Sequence, residues 1–199
     1  MLVAMDVVTL LRTQARANRL ANHRLHAAIA GLSRDEFHAP RTGFFPSLVA
    51  TLDHILAVDV YYIGALHRDS AITETYASFA ASADSAVLAE RQRLSDERLI
   101  NFCDHLDAAG CDAEVLMDRG HGKVQRDLAG HVLAHLFMHQ THHRGQVHAM
   151  LSGTAVAPPQ LDEFLMPSDA SWRVADMAAL GWSEAAVYGK LAATKGEIT

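Results

Sequence analysis

The sequence predicts an all-α protein: a four-helix bundle with a long crossover connection, a small β-hairpin before the fourth helix and short C-terminal helices. Three observations carry this expectation. Four long segments repeat their apolar residues at helical spacing. Stretches rich in Pro, Gly and Ser separate them. Half of the 199 residues are hydrophobic, enough for a real core and too many for a disordered chain.

The first periodic segment runs from Asp6 to Ala30, with Val7, Leu10, Leu11, Ala15, Leu20 and Leu25 in its apolar stripe, and stops at Gly31. SRDEFHAPRTGFFPS then reads as a loop. Pro46 and Ser47 open a second helix that is apolar around most of its circumference, so the polar Asp53, His54 and Asp59 stand out in it. The polar stretch SAITETYASFAASADS is the long crossover. A third helix spans Ala86 to Ala109 and ends at Gly110. In VLMDRGHGKVQRD, two extended pieces flank Gly120, His121 and Gly122, the pattern of a hairpin. Asp127 is expected to cap a fourth helix that ends at Ser152 and Gly153, and one or two short helices are expected between Val174 and Lys190. The expected organisation is a bundle over 1–152 and an extension, 153–199, packed on it within the same domain.

Composition excludes several classes of function. A net charge of -6 and a pI near 6.1, with no basic stripe, argue against nucleic acid. No uninterrupted apolar run reaches the roughly 18 residues of a spanning helix, so no membrane partner is expected. Asp6 breaks the apolar start and no small-residue cleavage site follows, which reads as a first helix rather than a signal peptide. Two cysteines make no disulfide framework and suit a reducing cytoplasm.

The histidines carry the functional signal. The chain has 13, and His139, His142, His143 and His148 fall within FMHQTHHRGQVH. His131, His135, His139 and His143 recur every four residues, which keeps neighbours on one helical face. Buried imidazoles need partners, and a metal ion can supply one. His139 and His143 have the spacing of the helical pair in HExxH zinc enzymes, but Gln140 stands where that motif has its glutamate base, which argues against a peptidase. A third ligand must come from another helix. His54, midway along the apolar second helix, is the best candidate, ahead of His23 and His26. His135 is expected to pack or support, and His131, His142 and His148 to lie at edges or in solvent. Asp53 and Asp59 are considered as partners orienting a ligand imidazole, Tyr61 or Tyr62 as a pocket wall, and the Arg12, Arg16, Arg19 row as a solvated face.

SLVATLDHILAVDVYYIGAL and HVLAHLFMHQTHHRGQVHAML, with the HxxxHRGQ signature and an upstream histidine in a TLxHIL context, resemble the DinB-like family of bacterial metalloenzymes, unrelated to the DNA polymerase of similar name. The resemblance implies a four-helix bundle over residues 1 to 152, metal ligands His54, His139 and His143, a nickel or zinc ion with one position left to water, and homodimers. It places Arg144 and Gln146 in the motif. It also implies a thiol-dependent S-transferase with a low-molecular-weight thiol and a small-molecule electrophile as substrates. The alternatives are a metal-dependent hydrolase, with Glu163, Asp162 or Asp169 as base, and a non-enzymatic, stress-associated metal-binding protein. Trp172, Trp182 and Tyr188 in the extension are expected to cover the bundle or to meet a partner subunit.

Overall fold

Three of the four long helices begin where a side chain accepts from their free N–H groups. The computed structural model describes residues 5–188. In it, Asp6 accepts from Thr9 N and opens α1 (Val7–Ile29). A short α2 (Arg34–His38) follows, opened by a reciprocal pairing of Ser33 and Glu36. Ser47 accepts from Ala50 N and opens α3 (Leu48–Leu66). Next come α4 (Ile72–Ala77), α5 (Ser85–Asp104) capped by Asp84, and the single turn α6 (Ala108–Cys111) capped by Asp107. An antiparallel hairpin, β1 (Glu114–Asp118) and β2 (Val124–Leu128), pairs Glu114 with Leu128 and leads into α7 (Ala129–Leu151). A 3-10 helix (Pro167–Trp172), α8 (Val174–Ala179) and α9 (Glu184–Tyr188) complete the described chain. The expected helix through Lys190 runs past Tyr188 into residues outside the description.

The four long helices close a ring in the order α1, α5, α3, α7. Side-chain pairs give their directions. Arg16 meets Asp104 and Asn22 meets Asp96, so α1 and α5 are antiparallel. Thr51 lies against Met150 and His54 against His139, so α3 and α7 are antiparallel. Asp59 meets Gln92 and His67 meets Arg98, so α3 and α5 are parallel neighbours. Parallel neighbours require a connection as long as the bundle, and residues 67–84 supply it. Asp53 pins that crossover to α3 by accepting from Ser82 N at 2.9 Å and Ser82 Oγ at 2.6 Å.

The core is divided. One apolar cluster, including Leu11, Ala15, Ile63, Leu99, Leu133 and Leu136, fills the hairpin end. Another, including Leu25, Ile29, Leu52, Ile55, Val147 and Leu151, fills the opposite end. Between them lies a buried polar layer to which all four long helices contribute: Asn18 and Asn22, Asp59, Gln92 and Asp96, Gln140 and Arg144. The extension lays Phe164, Met177 and Val187 on Ala17, Leu20 and Ala21 of α1. Trp182 and Tyr188 pack there, whereas Trp172 is 69% exposed. α3 is the one described helix long and apolar enough to cross a bilayer, with mean hydropathy 1.4, and 72% of that window is buried in the fold.

Several local expectations are corrected. The loops 33–47 and 70–85 contain α2 and α4. The third helix stops at Asp104 because Arg12 donates to the carbonyls of Cys103, Asp104 and Leu106 while Asp107 starts a new turn. The Arg12, Arg16, Arg19 row therefore faces α5, with Arg16 on Asp104 at 2.8 Å and Arg19 buried beside Asp96, instead of a solvated face. Asp127 does not cap α7: the strand ladder holds the chain extended through Leu128, and Asp127 accepts from Leu128 N and meets His131 instead. Val7 and Leu10 are exposed beside an open groove of about 990 Å³ between α1 and the start of α7.

Candidate metal centre

The antiparallel pairing of α3 with α7 brings His54 to the four-residue histidine ladder. One nitrogen from each of His54, His139 and His143 lies within 4.8 Å of the others, a group that could hold a metal ion. His54 Nε2 and His139 Nε2 are 3.0 Å apart, and the ring centres of His139 and His143 are 4.4 Å apart. Two nitrogens bound to one tetrahedral ion at 2.0–2.1 Å are themselves about 3.4 Å apart, so the cluster needs little adjustment.

The surroundings favour neutral imidazoles, the form that ligates metals. Burial pulls His139 down to about 4, assisted by the neighbouring His143 and His54. Burial, then His143, lowers His54 as well. His143 Nδ1 lies 2.8 Å from Gln146 Oε1. The amide oxygen can only accept, so Nδ1 carries the proton and Nε2 keeps its lone pair for the centre. Phe45, from the loop before α3, stacks on His54 at 4.3 Å and lies 5.7 Å from His143, closing one side. The buried His139 Nδ1 has no partner among the described residues. The all-nitrogen donor set and one tautomer fixed from behind fit a divalent ion of the borderline class.

His139 also lines a cavity of about 250 Å³ with Tyr61, Tyr62, Tyr76, Arg119 and His135. Both tyrosines singled out from the sequence therefore form its wall. His135 is exposed and packs on Tyr62 at 5.2 Å, and His142 is exposed beside Gln146.

Other expected roles fall away. Asp53 is taken by Ser82 and Asp59 by Gln92, so neither orients a ligand. Burial, reinforced by Asp96, pushes the Asp59 carboxyl up to about 7. Arg144 is buried in the polar layer, donating to Asn18 and Asn22. Burial lowers it to about 10 against the pull of Asp96 and Asp59. His23 and His26 are not members of the group. Glu163 is paired with Arg24 at 2.8 Å, Asp162 accepts from Gln160 and Asp169 from Ser168. Phe45 and Arg119 were not legible from spacing, because both sit on loops that only the fold brings to the helices.

No curated protein matches the chain. Residues 5–174 match the family model described as DinB family, which covers the bundle, the hairpin, both helices bearing the triad and the start of the extension. With that match over most of its length, and a three-histidine group where α3 meets α7, the chain belongs to the DinB family.

Proposed function

We propose that this protein is a metal-dependent thiol S-transferase of the cytoplasm, with His54, His139 and His143 holding one nickel or zinc ion. The observation that supports this reading is the donor set: three imidazoles, with no carboxylate in the group, beside a cavity. Three neutral ligands would leave a bound ion its full charge and an open position, enough to lower the pKa of a low-molecular-weight thiol.

The chain's own residues position and shield. Gln146 holds His143 in one tautomer, Phe45 closes one side of the centre, and the tyrosine-lined cavity receives the electrophile. The chain offers no sulfur nucleophile of its own. Cys103 is fully buried and burial pushes its thiol up to about 12, while Cys111 is also buried. Sulfur must therefore come from a co-substrate. Its S–H proton passes to water, the sulfur electron pair forms a new C–S bond, and one bond at the electrophilic carbon breaks. From an epoxide, the opened oxygen takes up a proton; from a halide, the halide leaves with the bonding pair.

Hydrolysis would want a carboxylate base near the centre, and the acids considered for it are held by Arg24, Gln160 and Ser168. The test is elemental analysis of untagged protein and its His54→Ala variant, followed by thiol consumption against epoxides, halides and activated alkenes. About one nickel or zinc per chain, lost in the variant, together with metal-dependent thiol consumption is expected. Absence of metal after reconstitution overturns the proposal. Bound metal without thiol chemistry on any electrophile leaves a binding protein.

A further inference from the structure

The cavity beside His139 holds a cation, Arg119, that pairs with no carboxylate among the described residues. Arg119 follows the last residue of β1 and opens the turn, where its N–H donates to Lys123 O at 2.8 Å. The turn beyond it runs through Gly120, His121 and Gly122 with φ of 78°, 52° and 74°. Two glycines are the residues that adopt this left-handed path without strain. The turn thereby aims the Arg119 side chain across α3. Arg119 Nε donates to Gln125 Oε1 at 3.1 Å and Nη2 to the Tyr62 hydroxyl at 3.0 Å. Its guanidinium carbon lies 5.0 Å from the centre of the Tyr61 ring and 5.4 Å from that of Tyr62.

Every one of these partners is neutral. Arg16, Arg24, Arg98, Arg126 and Arg173 each face a carboxylate at 2.7–2.8 Å. Arg119 has no such partner among the described residues. Asp118, the acid on the cavity wall, uses its carboxylate on Gly120 N at 2.8 Å and its carbonyl on Tyr61 and Thr73. In a chain of net charge -6, a hydrogen-bonded guanidinium without a carboxylate partner among the described residues thus sits in the cavity that the candidate metal ligand also lines. A guanidinium fork held in place by packing and hydrogen bonds suits bidentate pairing with a carboxylate. The remaining wall is aromatic: the Tyr61 ring lies 5.4 Å from that of Tyr62 and 5.5 Å from that of Tyr76, both edge-on. A cavity of about 250 Å³ is small for a ligand site and suits a compact, flat body.

We propose that this cavity binds a small, flat, unsaturated acid, with Arg119 receiving its carboxylate and the tyrosines flanking its body. The acid's role as the electrophilic substrate rests on the thiol-transfer reading; its capture by Arg119 does not.

The test is calorimetric titration of the zinc-loaded full chain with cinnamate and with cinnamamide, which has the same shape without the charge. Cinnamate is expected to bind about tenfold tighter, the value of one charge-assisted pairing in a partly open site. Arg119→Gln should reduce that preference to about twofold or less with bound zinc and helicity unchanged, and Arg119→Lys should keep part of it. The His54→Ala variant, without metal, should retain the preference, so that failure of the metal reading and failure of this one are distinguishable. If Arg119→Gln proves misfolded, a fall in preference on raising salt from about 0.05 to about 0.5 M, preserved in Arg119→Lys, stands in for it. The proposal is overturned by equal binding of acid and amide, by absence of binding, by an Arg119→Gln variant that keeps the preference, or by a preference that vanishes with the metal.

Discussion

Replacing Arg144 by Met keeps most of the side chain's volume and removes the charge at the centre of the polar layer. The layer is a relay. Arg144 donates to the amide oxygens of Asn18 and Asn22, and both amides donate onward to Asp96 at 3.1 and 2.9 Å. Gln92 joins Asp96 to Asp59 at 3.0 and 2.8 Å. The substitution strands two buried amide oxygens, each worth about 1–3 kcal/mol, leaves the buried Asp59 without its cation and leaves Asp96 with Arg19 alone. A loss of about 3–5 kcal/mol at neutral pH is expected, as for other buried charge networks broken from one side. The loss should depend on pH. Burial raises Asp59 to about 7 and Asp96 to about 6. A carboxyl raised in this way stabilises most below its unfolded value, and that contribution is lost as pH rises through the folded value. At pH 5 both groups hold their protons and Arg144 has little charge to answer. At pH 8 both are ionised in the wild type, and in the variant their values move still higher. Urea unfolding of metal-free protein at the two pH values measures this. A loss below about 1 kcal/mol, or one as large at pH 5 as at pH 8, would refute the account.

Gln146→Leu removes the acceptor behind His143 and should weaken metal binding by about 10- to 100-fold, while the metal-free protein melts as before; competition with a chromogenic chelator reads it. Stripping the metal should lower the melting temperature of wild type, because an ion present at about a thousandfold over its Kd stabilises by about 4 kcal/mol, and should not change that of His54→Ala. Ellman's reagent should find both thiols in urea but react far more slowly with native protein, since Cys103 and Cys111 are both buried; fast native reaction would break the case against a protein nucleophile.

The sequence exposed what depends on short spacing. Asp6 and Ser47 mark helix starts, Gly120 and Gly122 mark the turn, and the four-residue histidine repeat gives one face of α7. The helical pair His139 and His143 was readable from periodicity, and His54 from its apolar setting. What depends on distant partners was less legible. Nothing in the Arg12, Arg16, Arg19 row announces the carbonyls of Cys103, Asp104 and Leu106, so a buried face looked solvated. Asp127 is a good cap by composition, but its strand pairing decided its backbone. The S-x-x-E signature of α2, at Ser33 and Glu36, was present in SRDEF and was masked by the surrounding Pro and Gly. Phe45 reaches the centre, and Arg119 the cavity beside it, from loops where no periodicity points.

His54 and His139 stand 85 residues apart in sequence and meet across one helix seam. An ion seated between them would act as a reversible cross-link closing a long loop of the unfolded chain, a constraint worth about 4–5 kcal/mol by chain entropy alone. The ring could then not open between α3 and α7 without first releasing the ion. Metal supply would set how often the chain opens and how long it survives proteases, making the centre a clasp on the protein's lifetime.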